Sequence, residues 1–264
     1  MKQLSRTSRI GIVFGLFVIS LGGLLFAAPI PQDPAYHQFA ETGPFLGIRH
    51  FGNSASNAGF ALVGIIGIFM TVGARGQKIF GHAGDHWPYL AFFIGVALTS
   101  LGSTYYHLAP DNDRLMWDRL PMTIAFMSLF AAFVTDRVTR HSAAAWMLPL
   151  LVTLGVASVL YWDWTEAQGR GDLRFYGFVQ LFPIIALPLI CWLFQGHRYT
   201  DGRYLGWVVV WYGLSKILEH FDKAVSDITA GLLTGHALKH LAAAMATYMV
   251  IRMLQASREA SNPD

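Results

Sequence analysis

Eight apolar runs follow one another along this chain, and they limit its possible folds more than any other feature. Each run is free or nearly free of charged residues, and most approach the length of about 20 residues that a helix needs to cross a bilayer. A single run of this kind is typical of a buried core helix, but eight of them in 264 residues leave only short loops between them. We therefore predict an all-α polytopic membrane helix bundle with spans over Ile10–Ala28, Ser54–Gly73, Pro88–Leu108, Leu120–Thr135, Ala143–Trp162, Phe175–Gln195, Tyr204–Leu218 and Gly231–Ile251.

The composition excludes several other classes of protein. Charged residues make up 13% of the chain, against about 25% in soluble domains, so a soluble fold would have too few of them for its surface. The high apolar content excludes a disordered chain. The single cysteine, Cys191, excludes an intrachain disulfide and a cysteine-rich metal site. A net charge of only +3, from scattered basic residues, gives no reason to expect a nucleic acid as a partner.

The distribution of lysine and arginine predicts the orientation in the membrane. Cytoplasmic loops are enriched in these residues, and alternate loops of this chain carry them, whereas the intervening loops are richer in acids. We therefore expect a multi-pass integral membrane protein with both termini in the cytoplasm, which in a bacterium means the inner membrane. The basic positions are Lys2, Arg6, Arg9, Arg75, Lys78, Arg137, Arg140, Arg198, Arg203, Arg252 and Arg258.

The first run also has the features of a secretory signal, namely a basic start, an apolar stretch and the small residues Ala27 and Ala28. The apolar stretch is longer than a usual signal core, and Pro29 disfavours cleavage. We expect a retained signal anchor, with a cleaved signal as the alternative. The chain then divides into an N-terminal tip and extra span (1–30), a seven-span core (31–255) and a cytoplasmic tail (256–264).

Polar residues at the ends of three spans form the most informative pattern. Ser103 and His107 are four residues apart at the end of the third span, and His236 and His240 have the same spacing near the start of the last. Residues i and i+4 share a helix face. Asp118 stands just before the fourth span. All of these ends lie on the outer side of the membrane in the predicted topology, so the five side chains are expected at one depth.

Three neutral imidazoles suit Zn²⁺ and leave a fourth position for water, whose pKa zinc lowers to about 7. Asp118 could move the proton and Ser103 could donate to a developing oxyanion, which together describe metal-assisted hydrolysis of a carbonyl substrate. Two alternatives stay open. One is a non-catalytic receptor-like or transport protein with a structural zinc, and the other is a b-type haem protein that uses two of the histidines.

At these residues the sequence resembles the alkaline ceramidase family, within the seven-span hydrolases that include the progestin and adipoQ receptors. The family pattern of Ser-x3-His, an aspartate and a late His-x3-His is matched by Ser103, His107, Asp118, His236 and His240. Three local stretches are similar as well, and the resemblance covers roughly residues 47–251. These stretches are Phe51-Gly52-Asn53-Ser54-Ala55-Ser56-Asn57, Asp118-Arg119-Leu120-Pro121-Met122 and Gly235-His236-Ala237-Leu238-Lys239-His240.

The resemblance implies zinc held by His107, His236 and His240, with Ser103 and Asp118 as catalytic residues. It also implies that a ceramide-like sphingolipid is drawn from the bilayer and hydrolysed at its amide bond to a fatty acid and a sphingoid base. If the protein is an enzyme, hydrolysis of another acyl lipid is the alternative activity. Eukaryotic members carry a calcium site built from N-terminal acids. Here His50 stands near one of those positions, so we assign no calcium ligands.

A second set of charged residues lies where the seventh span ends. Lys216, Glu219 and Asp222 recur at intervals of three, which on a helix would place Lys216 beside Glu219 and Glu219 beside Asp222. One interpretation is a polar network that braces the last helices. The other is that these residues orient His236 or His240.

Overall fold

The computed structural model describes residues 4–41, 43–73, 79–82, 84–139 and 143–261, and for 258–261 it describes the backbone alone. The regular elements of these residues are helices, apart from one isolated bridge between Phe45 and Ile48. Ten α-helices are defined within the described ranges, with a 3₁₀ turn at Pro34–His37 after the first. They are α1 (Arg6–Phe26), α2 (Phe51–Ala55), α3 (Ala58–Val72), α4 (Trp87–Leu108), α5 (Asn112–Arg137), α6 (Ala144–Ala167), α7 (Arg174–Leu193), α8 (Gly202–His220), α9 (Asp222–Ile228) and α10 (Gly235–Ser261).

Six segments are long and apolar enough to cross a membrane, with α2 and α3 together forming one of them. They correspond to the first six predicted runs, and the chain is an integral membrane helix bundle as predicted. Helices α8 and α10 lie at the seventh and eighth predicted runs and have 19 and 27 residues. They fall outside the six because both carry charged or histidine side chains, among them Lys216, Glu219, His236 and His240.

Several helix ends differ from the predicted ends because polar first turns are capped by neighbouring side chains. Asp111 accepts the backbone N–H of Arg114 at 2.7 Å, so α5 begins at Asn112 and Asp118 lies inside the helix rather than before it. Thr234 accepts the N–H of Ala237 at 3.0 Å, and α10 correspondingly begins at Gly235 rather than at 231. Four of the basic residues behind the topology prediction, Lys2, Arg75, Lys78 and Arg140, lie outside the described residues, as does the side chain of Arg258.

The core helices form a ring in which α3, α4, α5, α7, α8 and α10 follow one another by contact, and α10 returns to α3. Helix α6 packs outside this ring on α5 and α7, and α1 packs on α7. Glycines allow close approach inside the ring, as is common between membrane helices. A methyl group at Gly95 would lie 2.7 Å from the Ala125 nitrogen, and one at Gly102 would lie 3.4 Å from Cα of Asp118. Gly102 thus holds the Ser103 turn of α4 against the Asp118 turn of α5.

The segment between α1 and α2 folds over one end of this ring. The Ile30 carbonyl accepts the N–H of Leu173 at 2.8 Å. His37 contacts the Tyr106 hydroxyl at 2.9 Å and the Asn112 amide oxygen at 3.0 Å. These contacts place the segment directly above the histidines of α4 and α10.

Candidate metal centre and catalytic cavity

Three histidines from two helices meet at this end of the ring. His107, His236 and His240 are all buried, and their candidate ligand atoms lie within 4.8 Å of one another. The i, i+4 spacing puts His236 and His240 on one face of α10, where their ring centroids are 5.0 Å apart. Nε2 of His107 and Nε2 of His236 are 3.2 Å apart.

This cluster could hold a metal ion, and one of its nitrogen–nitrogen distances is close to that of a tetrahedral zinc site. With Zn–N bonds of about 2.0–2.1 Å, two ligand nitrogens of a tetrahedral site are about 3.3 Å apart, which is close to the distance between the two Nε2 atoms. In general, catalytic zinc sites use three protein ligands and structural sites use four. Haem fits poorly, since its axial ligands approach from opposite faces of the macrocycle, and nitrogens 3.2 Å apart leave no room for it between them.

The ring of His240 contacts α2 and the residue that follows this helix. Its Nδ1 lies 2.9 Å from Oγ of Ser56 and 3.1 Å from the backbone oxygen of Asn53. Nε2 of His240 is therefore the nitrogen left to face a metal ion. Such contacts orient a metal-binding imidazole and raise its basicity.

The Asn53 carbonyl accepts from side chains because the helix breaks after Ala55. The Ser56 hydroxyl and the Asn57 side-chain amide each donate to it at 3.0 Å, and Nδ1 of His240 lies 3.1 Å from it. In a continuous helix the Asn53 carbonyl would accept the N–H of Asn57, but that N–H donates to the Ser54 carbonyl at 3.3 Å instead. The side chain of Glu41 stabilises the start of α2 by accepting the N–H groups of Gly52 at 2.6 Å and Asn53 at 2.9 Å.

The N-terminus of α10 is fixed by two side chains. Oδ1 of Asp222 accepts the backbone N–H of His236 at 2.8 Å, and its Oδ2 accepts that of Ala40 at 2.9 Å. The Thr234 hydroxyl donates to the side-chain oxygen of Asn53 at 3.1 Å. A methyl group at Gly235 would lie 2.6 Å from Cα of Asp222, so only glycine permits this approach.

The side chain of Phe39 covers the histidines on the side of the N-terminal segment. The centroid of the Phe39 ring is 4.8 Å from that of His107 and 4.4 Å from that of His236. An ion held by the three histidines would therefore be shielded from water on that side.

A cavity of about 360 Å³ leads from His240 into the bundle. Ser103 and Asp118 line it, and their side chains lie beside each other. Further in, the walls are mostly apolar and come from α5, α7 and α8, with Met122, Phe126, Ile184, Leu187, Val208 and Val209 among them. A polar end beside the histidines thus continues into an apolar pocket.

Charged residues also line the polar end. Glu219 accepts from Lys216 at 2.8 Å and from Lys239 at 2.5 Å, and the Tyr36 hydroxyl lies 3.4 Å from its Oε1. Lys216 is beside Glu219 as the spacing predicts, but the second partner of Glu219 is Lys239 of α10. Asp222 instead binds the backbone of α10.

All the site residues proposed from the sequence therefore lie in one region, together with several neighbours to which we assigned no role from the sequence. Ser56 and Asn53 belong to the stretch 51–57 that resembles the family, and Lys239 and Arg119 stand inside the two other similar stretches. Their place in these family-like stretches is the sequence signal that could have identified them. Phe39 and Tyr36 carry no comparable pattern, because their position depends on how the N-terminal segment folds back.

Comparison with known proteins agrees with these residues. A family model described as Ceramidase matches residues 48–263, which is well over half of the chain. The match includes all of the proposed site residues, and it confirms the resemblance predicted from the motifs. Among curated proteins, none matches this sequence. The chain belongs to the ceramidase family, whose activity is hydrolysis of the amide bond of ceramide.

Proposed function

We propose that this protein is an intramembrane zinc amidase that hydrolyses ceramide-like sphingolipids to a fatty acid and a sphingoid base. The observation that carries the proposal is the joining of a three-histidine cluster to a cavity that also contains Ser103 and Asp118. Family membership supports the substrate class.

His107, His236 and His240 would hold the metal ion. When bound, zinc supplies a Lewis acid that polarises a carbonyl group and makes water acidic enough to attack at neutral pH. Ser56 and the Asn53 carbonyl orient His240, and Asp222 orients His236 through its backbone N–H. Glu219 orients the turn of α10 that carries Lys239 and His240.

Asp118 and Ser103 would act on the substrate itself. The Asp118 carboxylate accepts a proton from the attacking water and returns it to the amide nitrogen as the C–N bond breaks. The Ser103 hydroxyl donates to the carbonyl oxygen while that oxygen gains negative charge. Water thereby adds its oxygen to the acyl carbon and its protons to the products, which are a carboxylic acid and an amine.

The apolar part of the cavity would hold the acyl chain of the lipid. Its walls exclude bulk water from the reacting carbonyl, which strengthens the hydrogen bonds made there. The substrate would enter from the bilayer, and the loop charges favour a topology in which the site lies toward the outer leaflet and both termini are cytoplasmic. Reporter fusions at both termini test this orientation.

Metal analysis combined with lipid turnover tests the proposal. Purified wild-type protein is expected to contain about one zinc per chain and to release fatty acid from ceramide. His240→Ala is expected to lose both metal and activity, while Asp118→Asn keeps the metal and loses activity. Ester and other acyl-amide lipids assayed in parallel identify the preferred acyl substrate. Bound zinc without hydrolysis of any long-chain amide would overturn the proposal in favour of a receptor-like or transport role.

A further inference from the structure

Arg119 is a buried cation in the wall of the catalytic cavity. It follows Asp118 on α5, is 5% exposed and lines the same cavity as Ser103, Asp118 and His240. A charge in such a place is costly unless it is paired. Among the residues that the structure describes, however, no carboxylate forms an ion pair with Arg119.

Neutral groups hold the guanidinium in place. Its Nη2 donates to the side-chain oxygen of Gln32 at 2.6 Å. Its carbon atom Cζ lies 4.2 Å from the ring centroid of Trp162, 4.8 Å from that of Tyr176 and 5.6 Å from that of Tyr36. These rings stabilise a cation through their π faces, but they leave its hydrogen-bonding capacity unused, and Nη1 is buried without a hydrogen-bond partner.

The other two cations of the cavity wall are already engaged. Lys216 and Lys239 both donate to the carboxylate of Glu219. Among the cavity-lining lysines and arginines that the structure describes, Arg119 is therefore the one without an ion pair, although the neighbouring Asp118 lies close enough to interact with it electrostatically. An arginine suits a carboxylate especially well, because its planar N–H groups match two carboxylate oxygens.

The proposed reaction creates such a group inside this cavity. Hydrolysis converts a neutral amide into a fatty acid, whose carboxylate then lies among apolar walls. We propose that Arg119 binds the carboxylate of the fatty-acid product and draws it away from the metal centre. This inference rests on the proposed function for the origin of the ligand.

Binding of palmitate to the purified, metal-loaded protein tests the proposal without any need for turnover. Isothermal titration with palmitate and with hexadecanol separates the contribution of the carboxylate from that of the chain. In Arg119→Gln we expect the affinity for palmitate to fall about tenfold or more, as for loss of a hydrogen bond to a charged group, and the affinity for hexadecanol to change less than twofold. Arg203→Gln, which removes an exposed arginine outside the cavity, is the control and should change neither.

Other outcomes would overturn the proposal. Equal losses for palmitate and hexadecanol would mean that Arg119 only supports the fold, and an unchanged preference for palmitate would place the carboxylate elsewhere. If Arg119→Gln lost binding of N-palmitoylglycine but kept binding of palmitate, Arg119 would recognise an acidic headgroup instead of the product. If Arg119→Gln fails to fold, Arg119→Lys replaces it. Lysine keeps the charge but lacks the planar pair of N–H groups. We therefore expect the ratio of the affinities for palmitate and hexadecanol to fall at least threefold in this variant.

The two proposals fail separately. A protein that binds palmitate through Arg119 but cleaves no amide would contradict the enzymatic proposal alone. Ceramide hydrolysis with palmitate binding that Arg119→Gln leaves intact would contradict the carboxylate site alone.

Discussion

Oγ of Ser56 lies 2.9 Å from Nδ1 of His240, a residue 184 positions later in the chain. The contact joins the residue that follows the short helix α2 to the proposed metal centre, and it explains why a small polar side chain at a helix break belongs to the site. Partners of this kind contribute on the order of 10–100-fold to metal affinity.

Ser56→Ala is expected to weaken zinc binding about tenfold, the lower end of that range, because the Asn53 carbonyl still holds the ring. Competition with a chromophoric chelator measures the change. Ser54→Ala is the matched control, since Ser54 lies two residues earlier, within α2, and its buried hydroxyl has no hydrogen-bond partner. Equal affinity in the two variants would remove Ser56 from the site.

Removing a histidine of the cluster should release the metal. His107→Ala and His236→Ala each leave two ligands of three, so we expect less than a tenth of the wild-type zinc content and no measurable turnover. His86→Ala is the control, because His86 lies at the opposite end of α4 and its ring contacts that of Trp87, with centroids 4.6 Å apart. Full zinc content in either cluster variant would contradict the assignment.

Gly235→Ala should disturb the start of α10. The added methyl group would lie 2.6 Å from Cα of Asp222 and 3.0 Å from its nitrogen, and overpacking of this kind costs about 1–3 kcal/mol. The carboxylate of Asp222 would move away from the His236 N–H, so zinc content should fall together with the melting temperature. Gly213→Ala on α8, where a methyl group would meet nothing within 4 Å, should leave both unchanged.

Glu219→Gln should destabilise the protein more than Lys216→Met. The neutral amide leaves Lys239, whose side chain is 16% exposed, without an anion, and breaking a buried pair in this way costs about 3 kcal/mol. Lys216 is 46% exposed and its pairing contributes little. Thermal unfolding in detergent measures the difference. Zinc content and turnover that stay at wild-type levels in Glu219→Gln would show that Glu219 does not orient the histidines.

An ion pair in the loop between α6 and α7 should make the stability of the protein depend on pH. Hydrogen bonds from Arg174 hold the pKa of Asp172 at about 2, below its ordinary value of 3.8. Because the pKa is lowered on folding, the carboxylate stabilises the protein above about pH 4 and loses this effect as the pH falls toward 2. The melting temperatures of wild type and Asp172→Asn should therefore differ by a constant amount from pH 8 to pH 5 and converge below pH 4. A difference that is already lost at pH 6 would contradict this assignment.

The apolar runs predicted most of the bundle, because a membrane span must contain long charge-free helices. Periodicity could not show where α5 and α10 begin, since each first turn contains polar residues and starts at a side-chain cap, Asp111 or Thr234. The expected neighbours of Glu219 are only partly those that the structure shows. Spacing along one helix identifies Lys216 as its neighbour, but Lys239 reaches it from another helix.

The histidine cluster could be predicted because its residues are rare within spans and share helical spacing. The contact of Phe39 with that cluster and the Gln32–Arg119 pair in the cavity wall could not be predicted in the same way. Phe39 and Gln32 lie in a segment without regular pattern, and Arg119 looks like an ordinary loop charge until α5 is seen to begin at Asn112. Their positions follow from tertiary contacts that no local sequence pattern encodes.

The break between α2 and α3 has a further consequence for His240. A backbone carbonyl only accepts hydrogen bonds, so a neutral His240 that contacts the Asn53 oxygen must carry its proton on Nδ1 and its lone pair on Nε2. The tautomer needed for metal binding is thus imposed by the main chain. Alanine scanning would overlook this determinant, because every side-chain replacement at position 53 keeps the carbonyl. An insertion that restores a continuous helix through residues 55–58 would reveal it.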